Sequence, residues 1–205
     1  NYPDVFADLT DSGINFSDFA ESKVANSVRD GKNYGVPYDS NTVIACYRTD
    51  YLEKAGYTID DLTDITWDRF IEIGKDVLDK TGMPMLTNVQ GEPDLLNMIL
   101  QSAGISVFNE DGSIAIADNE GLKEAMNVYM ELINAGILQE QTDWSGYQGS
   151  INNGSVVGTI NGSWICATIK STDQAEQEGN WAVTNMPKLN DYPGATNYSA
   201  QGGST

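Results

Sequence analysis

The chain has 205 residues and a net charge of −19, with 11 lysines and arginines against 30 aspartates and glutamates. So acidic a balance excludes a nucleic-acid partner and an anionic membrane surface, both of which need a basic face. It reads as solubility through self-repulsion, with an acidic cleft for cationic ligands as the alternative. There is no histidine, which excludes Ser-His-Asp and Cys-His catalysis and the commonest zinc ligand. No cofactor or metal is implied.

Cys46 and Cys166 lie in apolar runs with no metal-like spacing. They read as two buried thiols; a disulfide needs their Cα atoms within about 6 Å. No apolar run approaches the roughly 18 residues that span a bilayer. No signal peptide is visible, and the chain starts without Met, so it reads as an excised fragment.

Asn1–Asp30 is loosely patterned, with Val5, Phe6 and Leu9 suited to a short element and Phe16 and Phe19 to a helical turn. The next stretch, GKNYGVPYDSNTVIACYRTDYLEKAG from Gly31 to Gly56, is the most informative. Strand-like runs at Tyr34–Pro37 and Val43–Tyr47 flank a polar knot, Tyr38-Asp39-Ser40-Asn41-Thr42. Polar groups at a strand end are where α/β proteins place ligands; a solvated loop is the plain alternative. A short helix follows, with Asp50 as its cap and Gly56 as its stop.

Thr66 caps a helix from Trp67 to about Lys80, with Trp67, Phe70, Ile71, Val77 and Leu78 at helical spacing and Gly82 beyond. Trp67 reads as core. Pro84–Thr87 is a short strand. A polar loop, Asn88 to Asp94, leads from it into a helix opened by Pro93 and closed by Gly104. Glu92 and Asp94 suit a helix N-terminus electrostatically; the other reading projects both carboxylates into a cleft. Asn109-Glu110-Asp111-Gly112 signals a hairpin turn and lacks EF-hand ligand spacing.

Asp118 or Asn119 caps the longest helix, Glu120 to Ala135, whose predicted buried stripe includes Leu122, Ala125, Met126, Val128, Tyr129, Leu132 and Ile133. A less apolar helix over Asp143–Asn153 carries Trp144, Tyr147 and Ile151. Val156–Ile160 is a β-rich run, which Asn161-Gly162 is expected to break before a helix from Ser163 to Ile169. Trp164, on the first turn of that helix, is either core or a half-exposed flat face. Trp181–Met186 is a last strand. Gly202 and Gly203 permit close backbone approach to a ligand or hinge flexing. Strands alternating with helices across short connections predict an α/β fold.

Gly31–Gly56, Trp67-Asp68-Arg69-Phe70 after a threonine, and Ile160-Asn161-Gly162-Ser163-Trp164 occur in an order that resembles the bacterial extracellular solute-binding proteins. These are sugar receptors of ABC importers, of the maltose-binding-protein type. The resemblance implies a periplasmic-binding-protein-like lobe, a three-layer mixed sheet flanked by helices, in an incomplete two-lobe fold. It implies a first-lobe remnant over 1–38, with disorder or non-native packing near the start, a second lobe over 39–197, and a returning hinge strand over 198–205. It implies no enzyme, but a receptor that closes on a sugar or oligosaccharide and presents it to a transmembrane permease. The expected state is a monomer, extracytoplasmic and lipid-anchored in the parent protein.

The ligand-binding residues implied are Tyr38, Asp39, Asn41, Glu92, Asp94, Trp164, Gly202 and Gly203. Glu92-Pro93 fits the family's acidic-proline-aromatic turn, and Asp94 replaces its aromatic. Two other functions stand beside this one. One is a carbohydrate-active hydrolase using Glu92 with Asp39 or Asp94. The other is the same fold with a cationic cargo.

Overall fold

The computed structural model describes residues 5–172 and 174–201. Gly202 and Gly203 lie outside the described residues. The described chain divides into two compact units: residues up to Asn41 together with Gln201, and Thr42–Ala200.

In the first unit the elements are short. A 3-10 turn over Phe16–Asp18 is capped by the Asn15 side chain, and α1 is Glu21–Val24. Strands β1 (Val28–Arg29) and β2 (Lys32–Asn33) pair antiparallel. Asp30 and Gly31 join them at φ 50° and 76°, the left-handed pair that a tight hairpin requires. Asn33 alone is buried among the unit's described residues, and its side chain accepts from Ser27 Oγ at 2.7 Å. The region takes up short regular elements around a polar centre, with Val5 and Phe6 exposed; the expectation for it was disorder or non-native packing. The strand expected over Tyr34–Pro37 does not form. Tyr34 N–H goes to the Ser27 carbonyl and Gly35 N–H to the Asn33 side chain, and Pro37 has no N–H to give a ladder.

The second unit is built on β3 (Val43–Arg48), which lies between β6 (Gly158–Gly162) and β7 (Trp181–Thr184), antiparallel to both. Strands β4 (Leu86–Val89) and β5 (Leu138–Gln141) pair in parallel. The Val157 amide donates to the Pro84 carbonyl at 2.9 Å, joining the two sheets edge to edge. The helices are α2 (Thr49–Ala55), α3 (Trp67–Thr81), α4 (Asp94–Ser102), α5 (Glu120–Asn134), α6 (Trp144–Asn152) and α7 (Ile165–Lys170).

Period-2 alternation in β3 divides the core into two. Val43, Ala45 and Tyr47 face the larger cluster, which also holds residues of α2, α3, α4 and α5. Cys46 faces the smaller one, with Tyr147, Ile151, Ile165 and Ile169 of α6 and α7. Helices thus cover both faces of the β3 sheet, which is antiparallel, while β4 and β5 add a parallel pair; this is the layered α/β lobe that the family resemblance implies. The α3 stripe is buried: Trp67 and Phe70 are fully covered and meet edge to face, with centroids 5.5 Å apart. Thr66 Oγ1 accepts the Arg69 N–H, and Gly82 ends the helix at φ 72°.

Three further local expectations are corrected. Asp50 is not the cap of α2; it sits in the first turn, and its carboxylate takes both ends of the buried Arg48 guanidinium at 2.8 and 2.9 Å. Asn161-Gly162 does not break β6 but completes it, because the Asn161 amide finds buried partners. Met126 is 42% exposed; the buried stripe of α5 is Gly121, Ala125, Val128 and Leu132, and one residue further on turns about 100° away from it. Strand β5 has no counterpart in the sequence reading.

Gly158 of β6 stands opposite Tyr47 of β3 in the antiparallel ladder. A Cβ there would collide with the Cys46 carbonyl oxygen and the Tyr47 ring. Backbone and a fully buried ring give little, so Gly158→Ala is expected to cost about 1–3 kcal/mol. That lowers Tm by roughly 3–9 °C in a thermal melt.

Candidate functional site

The parallel pair β4 and β5 runs its carboxyl ends out at one edge of the sheet. Each strand turns there into a helix, β4 through Gln90–Pro93 into α4 and β5 through Thr142-Asp143 into α6. Strand β6 turns at Ser163-Trp164 into α7. Asp143 caps α6, its Oδ1 accepting the Gly146 N–H at 2.8 Å. This cap places Trp144 at the first helical position, while Trp164 is itself the cap residue before α7, one place earlier than the first-turn position expected.

The two tryptophans meet. Their ring centroids are 5.5 Å apart at 48°, and Trp144 stacks on Tyr147 at 4.8 Å and 21°. Trp144 remains 44% exposed and Trp164 is half-buried. A cavity of about 410 Å³ opens beside Trp144 and Tyr147. Asn88, Gln90, Glu92, Asp94, Asp143 and Asn161 supply its polar wall.

Much of that wall is fixed by its own hydrogen bonds. Asn161 Nδ2 donates to the Tyr147 hydroxyl oxygen at 2.9 Å, and its Oδ1 accepts the Gly162 N–H. The Tyr147 hydroxyl shares a 2.6 Å bond with Thr159 Oγ1, and burial pushes its phenol above the ordinary value, against those bonds. Asn88 Nδ2 donates to the Tyr129 hydroxyl, which donates to Glu140 on β5. Burial likewise raises the Tyr129 phenol, with the Asn88 bond opposing and Glu140 adding. These side chains are oriented before any ligand arrives. Glu92 and Asp94 stand exposed at the rim. Among the described residues no cluster of three or more carboxylates or thiols is arranged to hold a metal.

Of the residues singled out from the sequence, the structure thus brings Glu92 and Asp94 to one cavity and places Trp164 against its aromatic wall. Tyr38, Asp39 and Asn41 belong to the other unit. There Tyr38 is 86% exposed, and Asn41 Nδ2 donates to Asp39 at 2.9 Å. Sequence reasoning missed Trp144, Tyr147, Asn88, Gln90 and Asn161. A signal for Trp144 was present: an aromatic at a helix start after a capping Asp, a position comparable to the one that picked out Trp164 at the head of the next strand-to-helix turn.

The sequence profile of the bacterial extracellular solute-binding proteins matches residues 1–205. The chain belongs to this family. A lactose-binding protein of Rhizobium radiobacter is 42% identical over 205 residues, covering 100% of this chain and 48% of the relative. An arabinooligosaccharide-binding protein of Bacillus subtilis (strain 168) is 28% identical over 117 residues, 57% of this chain and 26% of the relative. The chain thus spans about half the length of the lactose-binding relative, or less of the other.

Among solved solute-binding proteins, the GacH receptor of Streptomyces glaucescens GLA.O superposes with a TM-score of 0.78 at 20% identity, over 98% of this chain and 50% of that one. The galacto-N-biose-/lacto-N-biose I-binding protein of Bifidobacterium longum gives 0.75 at 22% identity, over 97% and 49%. At these identities the likeness is one of fold.

Proposed function

We propose that Thr42–Ala200 is the second lobe of a two-lobed extracytoplasmic sugar receptor, that the first unit belongs to the opposite lobe, and that the whole protein serves an ABC importer by delivering its sugar to the permease. The observation that carries the sugar is the aromatic surface of Trp144 and Trp164 beside the pre-oriented amides of Asn88 and Asn161 and the rim carboxylates of Glu92 and Asp94. A sugar needs both at once. Its apolar ring face gains from aromatic surface, and its hydroxyls need partners, because an unpaired buried polar group costs about 1–3 kcal/mol. Asn88, Gln90, Glu92, Asp94 and Asn161 offer donors and acceptors; Trp144 and Trp164 offer the face. The ligand class is a small oligosaccharide, with lactose the first candidate by the 42% identical relative.

Tyr38, Asp39, Asn41, Gly202 and Gly203 are carried as ligand contacts by the family resemblance alone. So is the lipid anchor. A ligand that bridges two lobes drives closure through contacts better made in the closed state.

The hydrolase and cationic-cargo readings are not favoured. The relatives named are binding proteins, and the aromatic surface fits a neutral ring. A thermal-shift screen of the two-lobed receptor against mono- and oligosaccharides tests the assignment. Ligand at a hundred times its Kd is expected to add roughly 2.7 kcal/mol of stability. Shifts with amines or cationic peptides and none with sugars would overturn the cargo.

A further inference from the structure

A second cavity, of about 610 Å³, lies on the α7 side of the sheet, with Cys46, Cys166, Ile169, Gln177 and Trp181 in its wall. Cys46 is the β3 residue that turns away from the larger core, flanked in register by Thr159 and Val183. Ile165 and Ile169 of α7 pack beside it in the smaller core. Cys166, the second residue of α7, lies between those two in sequence and shares the wall of this cavity with Cys46. Both are free; Cys46 is buried and Cys166 half-buried.

We propose that Cys46 and Cys166 are an oxidation site, closing an intramolecular disulfide that ties β3 to α7 when the protein folds outside the cytoplasm. The oxidant is a disulfide, either of low molecular weight or on a thiol oxidoreductase. The Cys166 sulfur attacks one sulfur of that disulfide and expels the other as a thiol. The Cys46 sulfur then attacks the Cys166 sulfur of the mixed disulfide and expels the second thiol. Two cysteine thiols are oxidised, one disulfide is reduced to two thiols, and the cysteine protons end on the released thiols.

The order follows from access. Cys166 is half-buried, whereas Cys46 is fully covered, and burial, with a smaller contribution from Cys166, pushes the Cys46 thiol up to about 12. A thiol so held is a weak nucleophile once folded and a poor leaving group afterwards. The bond therefore forms while the sheet assembles and resists reduction in the folded state. Trp164 precedes Cys166 by two residues, so the bond would also pin the turn that carries the aromatic surface.

The test refolds the reduced full-length protein in a glutathione redox buffer, then alkylates under denaturing conditions and maps the peptides. The expected result is a cross-linked pair of peptides containing Cys46 and Cys166, with neither cysteine alkylated. Oxidised protein should melt on the order of 5 °C above Cys166→Ala treated in the same way, since the bond closes a long loop. Recovery of both cysteines alkylated, or of glutathione on either one, would overturn the proposal. The mapping is done on the wild type, so it decides the matter even if the variant folds poorly.

Discussion

Replacing Trp144 with alanine is expected to weaken sugar binding about 10- to 100-fold, the loss of roughly 1.4–2.8 kcal/mol of aromatic contact. Titration calorimetry on the two-lobed receptor reads this directly. Trp144 is 44% exposed and held mainly by the face of Tyr147 and the tilted ring of Trp164. Its removal uncovers those rings without opening the larger core, so Tm should fall only a few degrees. Trp164→Ala should act in the same direction. Asn161→Ala gives a useful contrast, because it leaves the Tyr147 hydroxyl without its buried amide partner and should cost stability as well as affinity. An affinity unchanged in Trp144→Ala would place the sugar elsewhere.

Trp67→Ala is expected to be the most damaging single change to the fold, at about 3–5 kcal/mol. Trp67 is fully buried at the first turn of α3. Its ring meets Phe70 edge to face, and Phe70 in turn lies 6.1 Å from the Tyr47 ring on β3. Truncation thus opens a void between the helix layer and the central strand. The indole N–H has no partner among the described residues, so Trp67→Phe loses no hydrogen bond there and should cost much less. Urea denaturation of the two variants separates the cases. Equal losses would mean that volume at this position matters little, contrary to the packing described.

The helices were legible because periodicity and caps agreed. Trp67, Phe70, Ile71 and Val77 repeat at the helical period, and Thr66 and Gly82 close the ends where the structure puts them. Asn119 caps α5 as read, its side chain accepting the Leu122 N–H. Strand β5 was illegible for a physical reason. Leu138-Gln139-Glu140-Gln141 has one buried apolar residue and owes its extended form to pairing with β4, a long-range contact that no local pattern announces.

The site was half legible. Glu92, Asp94 and Trp164 stood out by motif and position, and the fold brings them to one region. Asn161 was read as a breaker because an amide beside glycine usually ends a strand. Here its partners are a tyrosine from α6 and a backbone amide, supplied only by the tertiary structure. Trp144 was passed over because α6 is short, with Gly146 and Gly149 within it, and so has little amphipathic signal. Its importance comes from lying against Trp164, far along the chain.

The most direct test of the central claim is a calorimetric titration of the two-lobed receptor with lactose and other neutral oligosaccharides, at low and at high salt. The account predicts saturable binding of at least one sugar, with a Kd nearly independent of salt because no net charge is brought into the site. Failure of every neutral sugar to bind, or an affinity that falls steeply as salt is added, would contradict it.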